Sequence, residues 1–216
     1  MIKSTINKLK NIVKSGTFVP ISSDPYSTHI PVLIGIIRLL KPKTIIEYGS
    51  GFNSTLLFIN KEICPSIDTV RSYENYRDWY SLVKQKVDSN QSINYKYVEG
   101  DMYNYVDSNE IAQSDLVFVD DSYNAHDRSK TIEEVVKSQP KICLIHDFEN
   151  QPYRKSVSNH LPYYRFKSLL PNTGCTGTHL DIIMCKEIDV IINSYKNSIQ
   201  NNDINSWADV FDRLLK

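Results

Sequence analysis

No stretch of this chain approaches the roughly 20 consecutive apolar residues that a membrane-spanning helix requires. The first 15 residues carry lysines but lack the apolar core of a secretory signal. Excess charge of either sign is also missing. Over 216 residues, 25 Lys and Arg balance 25 Asp and Glu, for a formal net charge of zero. That balance lacks the electrostatic footprint of a nucleic-acid binder. Cysteine is sparse and unpatterned: Cys64, Cys143, Cys175 and Cys185 form no Cys-x-x-Cys pair, which argues against structural zinc and against a disulfide framework. Cys143 and Cys185 lie in apolar runs and are expected as small buried hydrophobes. With no repeat, low-complexity tract or long linker, residues 1–216 are expected to form one domain. The expected setting is cytoplasmic, with no membrane or nucleic-acid partner.

What is present is an alternation of short apolar runs with amphipathic ones. Ile2, Ile6, Leu9 and Val13 predict a helix over 1–15, followed by a loop over 16–25. Residues 28–40 predict an apolar helix, with Thr28 as its cap and Pro31 in its first turn. Together residues 1–40 are expected as a helical cap that could help to form a lid. Thr44, Ile45 and Ile46 are β-branched and begin the first strand. Further strands are expected over 67–73, 93–98, 116–119 and 142–145. Helices are expected over 54–60, 76–87, 108–112 (capped by Ser108), 129–137 and 153–158. Residues 164–169 and 180–185 predict two late strands in a hairpin, with Pro171, Gly174 and Gly177 as turn residues. Residues 187–216 are expected to be helical. Alternating strands and helices predict an α/β fold: a doubly wound, mostly parallel seven-stranded sheet over 41–186, with an antiparallel hairpin at one edge.

The organising stretch runs from residue 43 to residue 55: a buried strand, a tight glycine turn, then a helix start. Gly49 and Gly51 allow a sharp turn and close approach of a ligand. Asn53 or Ser54 is expected to cap the helix, whose amides then face the crevice. A dinucleotide site wants Gly-x-Gly-x-x-Gly, but Ser54 stands at the third position. Glu47, at the mouth of the strand, would repel a pyrophosphate. It suits instead the ammonium and sulfonium end of a cationic ligand such as S-adenosylmethionine (SAM). Glu47, Glu74, Asp101, Asp120, Asp121, His146 and Asp147 all fall at the carboxyl ends of expected strands, where open α/β sheets bind ligands.

On these residues the chain resembles the class I SAM-dependent methyltransferases. Glu47-Tyr-Gly49-Ser50-Gly51-Phe-Asn53 is similar to their first motif, Glu-x-Gly-x-Gly-x-Gly, with Asn53 in place of the third glycine. Phe118-Val-Asp120-Asp121 and Leu144-Ile-His146-Asp147 resemble small O-methyltransferases whose fourth strand ends in Val-Asp-Gly or similar and whose fifth ends in His-Asp. The resemblance implies cofactor contacts from Glu47, Gly49, Ser50, Gly51, Asn53, Ser54 and Asp120. It implies that Glu74 accepts the ribose hydroxyls, a role consistent with its place roughly 20 residues after the glycines. It also implies that Asp101 meets the adenine amino group and that Met102 covers a ring face.

Methyl transfer to a hydroxyl needs a base or a metal to remove the proton. His146 is the expected base, with Asp120 and Asp147 beside it. Mg²⁺ held by Asp120 and Asp147 is the alternative, since hard cations prefer carboxylate oxygens. The related metal users carry Asp-Asn where this chain has His146-Asp147. Residues 122–128 are expected as an acceptor-binding loop, with His126 a second base candidate. The acceptor is expected to be a small-molecule hydroxyl, of a sugar or a secondary metabolite. Edge helices could cover the core or pair two subunits, so a homodimer is left open. Two other functions compete: an NAD- or nucleotide-binding α/β enzyme, and a non-catalytic methyltransferase-like binding module.

Overall fold

The structure, a computed structural model, describes residues 27–88, 90–122 and 125–215. The helix expected over 1–15, the loop over 16–25, and Tyr123 and Asn124 of the acceptor loop lie outside these residues. The strands are β1 (Thr44–Tyr48), β2 (Thr69–Glu74), β3 (Ile93–Tyr97), β4 (Leu116–Val119), β5 (Cys143–Ile145), β6 (Tyr163–Arg165) and β7 (Gly174–Thr176). They form one sheet in the order β3-β2-β1-β4-β5-β7-β6. The first five run parallel, and β7 is antiparallel to both β5 and β6. The strand order reverses between β1 and β4, which is where an open α/β sheet leaves a crevice at its carboxyl edge.

The helices among the described residues are α1 (Ile30–Leu40), α2 (Ser54–Ile59), α3 (Arg77–Val87), α4 (Ser108–Gln113), α5 (Ala125–Lys137), α6 (Gln151–Ser158), α7 (Ile182–Tyr195) and α8 (Ile204–Leu214). Side chains alternate across the central strands. Ile45, Leu116, Phe118 and Leu144 join the core that contains α1, α7 and α8. Ile46, Val117, Val119 and Ile145 join the core on the opposite face. α1 is buried along Ile30–Ile37, as expected for a helix that is apolar all round. Gly35 lets it lie against α8 and α7: an added Cβ would sit 2.9 Å from Phe211 and 3.0 Å from Ile188.

Three expectations need correction. Residues 180–185 are not a strand. Asp181 accepts hydrogen bonds from the amides of Ile183 and Met184 and so starts α7, whose buried residues Met184, Cys185, Ile188 and Ile192 repeat at helical spacing. The partner of β6 is instead β7, where Gly174 lies flat against the ring of Phe148 and leaves no room for a Cβ. Second, the cap of α4 is Asp107, which accepts from the amides of Asn109 and Glu110, and not Ser108. Third, Thr28 does not cap α1. His29 occupies that position without a side-chain bond, and the Thr28 hydroxyl is used elsewhere.

Candidate active site

Ladder bonds that continue past the strand ends set the heights of the functional side chains. Gly49 N bonds Tyr73 O at 2.9 Å, Asp120 N bonds Tyr48 O at 2.8 Å, and His146 N bonds Val119 O at 3.1 Å. The glycine turn after β1, Asp120 after β4 and His146 after β5 are thereby held side by side. Gly49 has φ +87, and an added Cβ would lie 2.3–2.4 Å from the backbone of Asp120 and Asp121. Its missing side chain lets β4 come close, rather than a ligand. Gly51 differs: the nearest atom to an added Cβ is Ser54 Oγ at 3.4 Å, so one side of the turn is open. The Gly51 amide donates to Thr55 Oγ1 at 2.9 Å, and Asn53 makes no side-chain cap.

Glu47 does not face the crevice. It is fully buried, and its Oε2 accepts from Thr55 at 2.7 Å and from Ser72 at 2.5 Å. The carboxylate thus joins β1, β2 and the first turn of α2, while Oε1 has no hydrogen-bond partner of ordinary geometry among the described residues. Burial pushes its pKa up to about 7, against the hydroxyls of Ser54, Ser72 and Thr55. A folded pKa above the ordinary 4.5 contributes stability that is complete below 4.5 and lost as pH rises through 7. Glu47→Gln is therefore expected to flatten this slope. Relative to wild type, the variant should gain about 2–3 kcal/mol between pH 5 and pH 8 in urea melts. Parallel stability curves for the two proteins would show that Glu47 is not the titrating group.

Glu74 closes over the glycine turn. Its Oε2 accepts from Ser50 N at 3.1 Å and Ser50 Oγ at 2.9 Å, and its Oε1 from Tyr76 N at 2.8 Å. Burial raises its pKa to about 7 against these donors. To receive ribose hydroxyls, Glu74 must release Ser50 Oγ, which already has a second partner in Tyr95 Oη at 2.7 Å. Trp79 Nε1 holds the carbonyl of Ser50 at 2.6 Å and keeps the turn in place meanwhile. Asp101 is exposed after β3 and accepts from Tyr103 Oη at 2.6 Å. Met102 cannot cover an adenine face. It is buried in the core with Tyr48, Tyr73 and Ile111.

On the other side of the crevice the central residue is Arg128, in the first turn of α5. Its Nη1 lies 2.9 Å from Asp120 Oδ1 and 2.8 Å from Asp147 Oδ2, and its Nε lies 3.8 Å from Asp121 Oδ1 and bonds Ser122 O at 2.9 Å. Its side chain is 3% exposed. Burial alone would lower the arginine pKa, but the Asp120 charge and its neighbours raise it. Burial likewise would raise Asp120, yet the charges of His146 and Arg128 hold it at about 2. Asp121 is raised by burial despite Arg128. Asp147 sits at φ +55, an uncommon backbone for a non-glycine residue that aims its carboxylate at the guanidinium. A single guanidinium nitrogen stands where a cation bridging Asp120 and Asp147 would stand. That pair does not suit Mg²⁺.

His146 is buried between Asp120 and Thr28. Its Nδ1 lies 3.2 Å from Asp120 Oδ2, and its Nε2 lies 3.2 Å from Thr28 Oγ1. The Thr28 hydroxyl gives its one proton to Pro171 O at 2.8 Å, because a carbonyl only accepts. Nε2 must then carry a proton and donate it to Thr28. Burial lowers the pKa of His146, but the charge of Asp120 outweighs this and raises it. Edge-on to His146, with ring centroids 4.6 Å apart, stands His29. Burial, and then the charge of His146, push the pKa of His29 down to about 3, so it is neutral near pH 7.

The structure thus brings Gly49, Ser50, Gly51 and Glu74 together on one side, and Asp120, His146 and Asp147 on the other. It leaves Glu47 and Met102 in the interior. Thr28 and His29 were not assigned site roles from the sequence, and Arg128 was expected only as the last residue of the acceptor loop, whereas it lies in the first turn of α5 and holds the acids. The signal for Arg128 was present: three carboxylates at adjacent strand ends, Asp120, Asp121 and Asp147, needed a cation. His29 was less visible, embedded at the head of an apolar run.

No known family model matches the chain, and no curated protein matches it. Solved structures do share its fold. An O-methyltransferase from Bacillus cereus in complex with SAH superposes with a TM-score of 0.53 at 9% identity, covering 81% of this chain and 91% of that one. The O-methyltransferase TomG from Streptomyces achromogenes, in complex with SAM, gives 0.52 at 15% identity, covering 69% and 79%. The methyltransferase domain of a bacterial CtHen1 gives 0.51 at 10% identity, covering 71% and 100%. The chain has the seven-stranded methyltransferase fold. Among the described residues, no helix is long and apolar enough to cross a membrane.

Proposed function

We propose that the protein is a SAM-dependent methyltransferase that methylates a hydroxyl of a small molecule. The observation that carries this reading is the meeting, at the reversal point of the sheet, of an open-sided glycine turn with the Asp120–His146 pair. The fold shared with SAM- and SAH-bound O-methyltransferases supports it. The open side of Gly51 and the acceptor oxygens of Glu74 fit such a cofactor. When bound, SAM supplies a methyl group on a positively charged sulfur, ready for in-line displacement.

The chain's own residues do the remaining work. Glu74 exchanges the Ser50 hydroxyl for ribose hydroxyls, and Asp101 stands at the adenine end. Asp120 and His146 take the acceptor's proton at Nδ1, the ring nitrogen that Thr28 leaves to Asp120. Arg128 holds Asp120 ionised, and Asp147 fixes the guanidinium that does so. A cytoplasmic setting belongs to the same reading and accords with four buried, free cysteines.

Glu74→Ala is expected to weaken SAM binding by about 1.5–3 kcal/mol, the worth of hydrogen bonds to a charged group. Unchanged affinity in calorimetry would remove Glu74 from the site. His146→Ala is expected to lower kcat by about 100-fold or more while SAM affinity stays near wild type. Full turnover in that variant would end the base assignment. A second reading, SAM binding without turnover, draws on the commitment of both His146 nitrogens to neighbours. Incubation with labelled SAM and a broad panel of small hydroxyl acceptors separates the two readings, since label transfer supports the enzyme and its absence across the panel supports the binding module.

A further inference from the structure

The contact between His146 Nδ1 and Asp120 Oδ2 poses a chemical question. Thr28 fixes a proton on Nε2, so in a neutral ring Nδ1 bears a lone pair. That lone pair points at a carboxylate oxygen 3.2 Å away. Two electron-rich atoms at this separation require a cation between them, either a proton or a metal ion. A proton would serve these two groups alone.

A third group stands beside them. His29 is 2% exposed, and neither of its ring nitrogens has a hydrogen-bond partner among the described residues. Leaving a buried imidazole unsatisfied carries the full desolvation penalty of its ring nitrogens. One ligand atom each from His29, Asp120 and His146 lie within 4.8 Å of one another. A metal ion uses all three groups, and it satisfies the nitrogen that a proton leaves stranded.

We propose that His29, Asp120 and His146 bind a borderline divalent transition metal such as Zn²⁺ or Co²⁺. Two imidazoles and one carboxylate suit that class and not Mg²⁺, which prefers an all-oxygen shell. The surrounding groups match the outer shell of such a site. Thr28 accepts the Nε2 proton and passes its own to Pro171 O, which fixes the ring with Nδ1 toward the metal. Arg128 holds the other oxygen of Asp120, and its charge is offset by Asp121 and Asp147. Three protein ligands leave a fourth position for a water or a hydroxyl. The lone pair on Nδ1 serves one role at a time: in the metal-bound protein His146 would be a ligand rather than the base, and the metal would instead acidify a hydroxyl at the fourth position. Metal binding at this site does not depend on methyl transfer.

The test is titration of chelator-treated full-length protein with Co²⁺, followed by visible absorption and by calorimetry. One equivalent should bind and give the intense bands of a four- or five-coordinate site. Zn²⁺ should displace it, and millimolar Mg²⁺ should not. His29→Gln should bind Co²⁺ more than about 100-fold more weakly, and Thr28→Val about 10–100-fold more weakly. Circular dichroism establishes that each variant is folded, and Thr28→Val carries the test if His29→Gln does not fold. Absence of Co²⁺ binding by folded wild-type protein would overturn the proposal, leaving a proton between His146 and Asp120. So would variants that bind as tightly as wild type. SAM titration of the same metal-free protein gives a separate readout, so loss of this proposal and loss of the methyltransferase reading are distinguishable.

Discussion

Arg128→Met is expected to destabilise the fold by about 3–5 kcal/mol, the usual consequence of removing one partner from a buried ionic cluster. For a chain of this size that corresponds to a fall in Tm of about 6–20 °C. The side chain is almost wholly buried, and its removal takes away the one group that touches the carboxylates of Asp120, Asp121 and Asp147 together, leaving His146 to face Asp120 and Asp147. The sign of the pH dependence follows from the same picture. In the wild type, Asp120 is held at about 2, below the ordinary 3.8, so its contribution is present above 3.8 and lost as pH falls toward 2. Without the guanidinium, burial pushes the carboxyls of Asp120 and Asp121 upward, and the contribution reverses. The variant should therefore be least destabilised in acid and most destabilised above neutral pH. Arg128→Lys should fall between, because an ammonium keeps the charge but loses the planar fork that reaches Ser122 O and two carboxylates at once. A Met variant that melts with the wild type at pH 8 would show that the cluster is held by something else.

The second large effect separates the two glycines of the turn after β1. Gly49→Ala is expected to cost about 3–5 kcal/mol, because it adds an unfavourable φ to a collision with the backbone of Asp120 and Asp121. Gly51→Ala has neither problem. It should leave stability within about 1 kcal/mol of wild type while weakening SAM binding tenfold or more, since its methyl enters the open side of the turn. Chemical denaturation and calorimetry on the pair give the two numbers independently. A stable Gly49→Ala protein, or a Gly51→Ala protein that binds SAM normally, would contradict this division of roles.

Much of the arrangement is legible in the sequence. β4 was read at its observed limits because four consecutive apolar residues are bounded by Asp115 and Asp120. The line of acids at strand ends was readable for the same reason: a strand stops where its apolar run stops. What could not be read depended on contacts between distant segments. Glu47 looked like a crevice residue because Ser72, one of the hydroxyls that seals it inside, lies on the neighbouring strand. Met102 follows an exposed Gly-Asp turn, yet its side chain turns back into the core. Arg128 closes a run of donors and acceptors over 122–128, which reads locally as a loop that meets the acceptor. Only the pairing of β4 with β5 brings Asp147 to the same guanidinium. Residues 180–185 formed an apolar run whose length suited a strand, and the capping bond of Asp181 decided for a helix.

The proposed function requires a crevice that holds a cationic sulfur cofactor rather than a dinucleotide. Isothermal titration of the purified protein with SAM, and separately with NAD, tests that most directly. One equivalent of SAM should bind, with affinity reduced in Glu74→Ala and in Gly51→Ala, and NAD should give no heat of binding. Saturable NAD binding with none for SAM would contradict it.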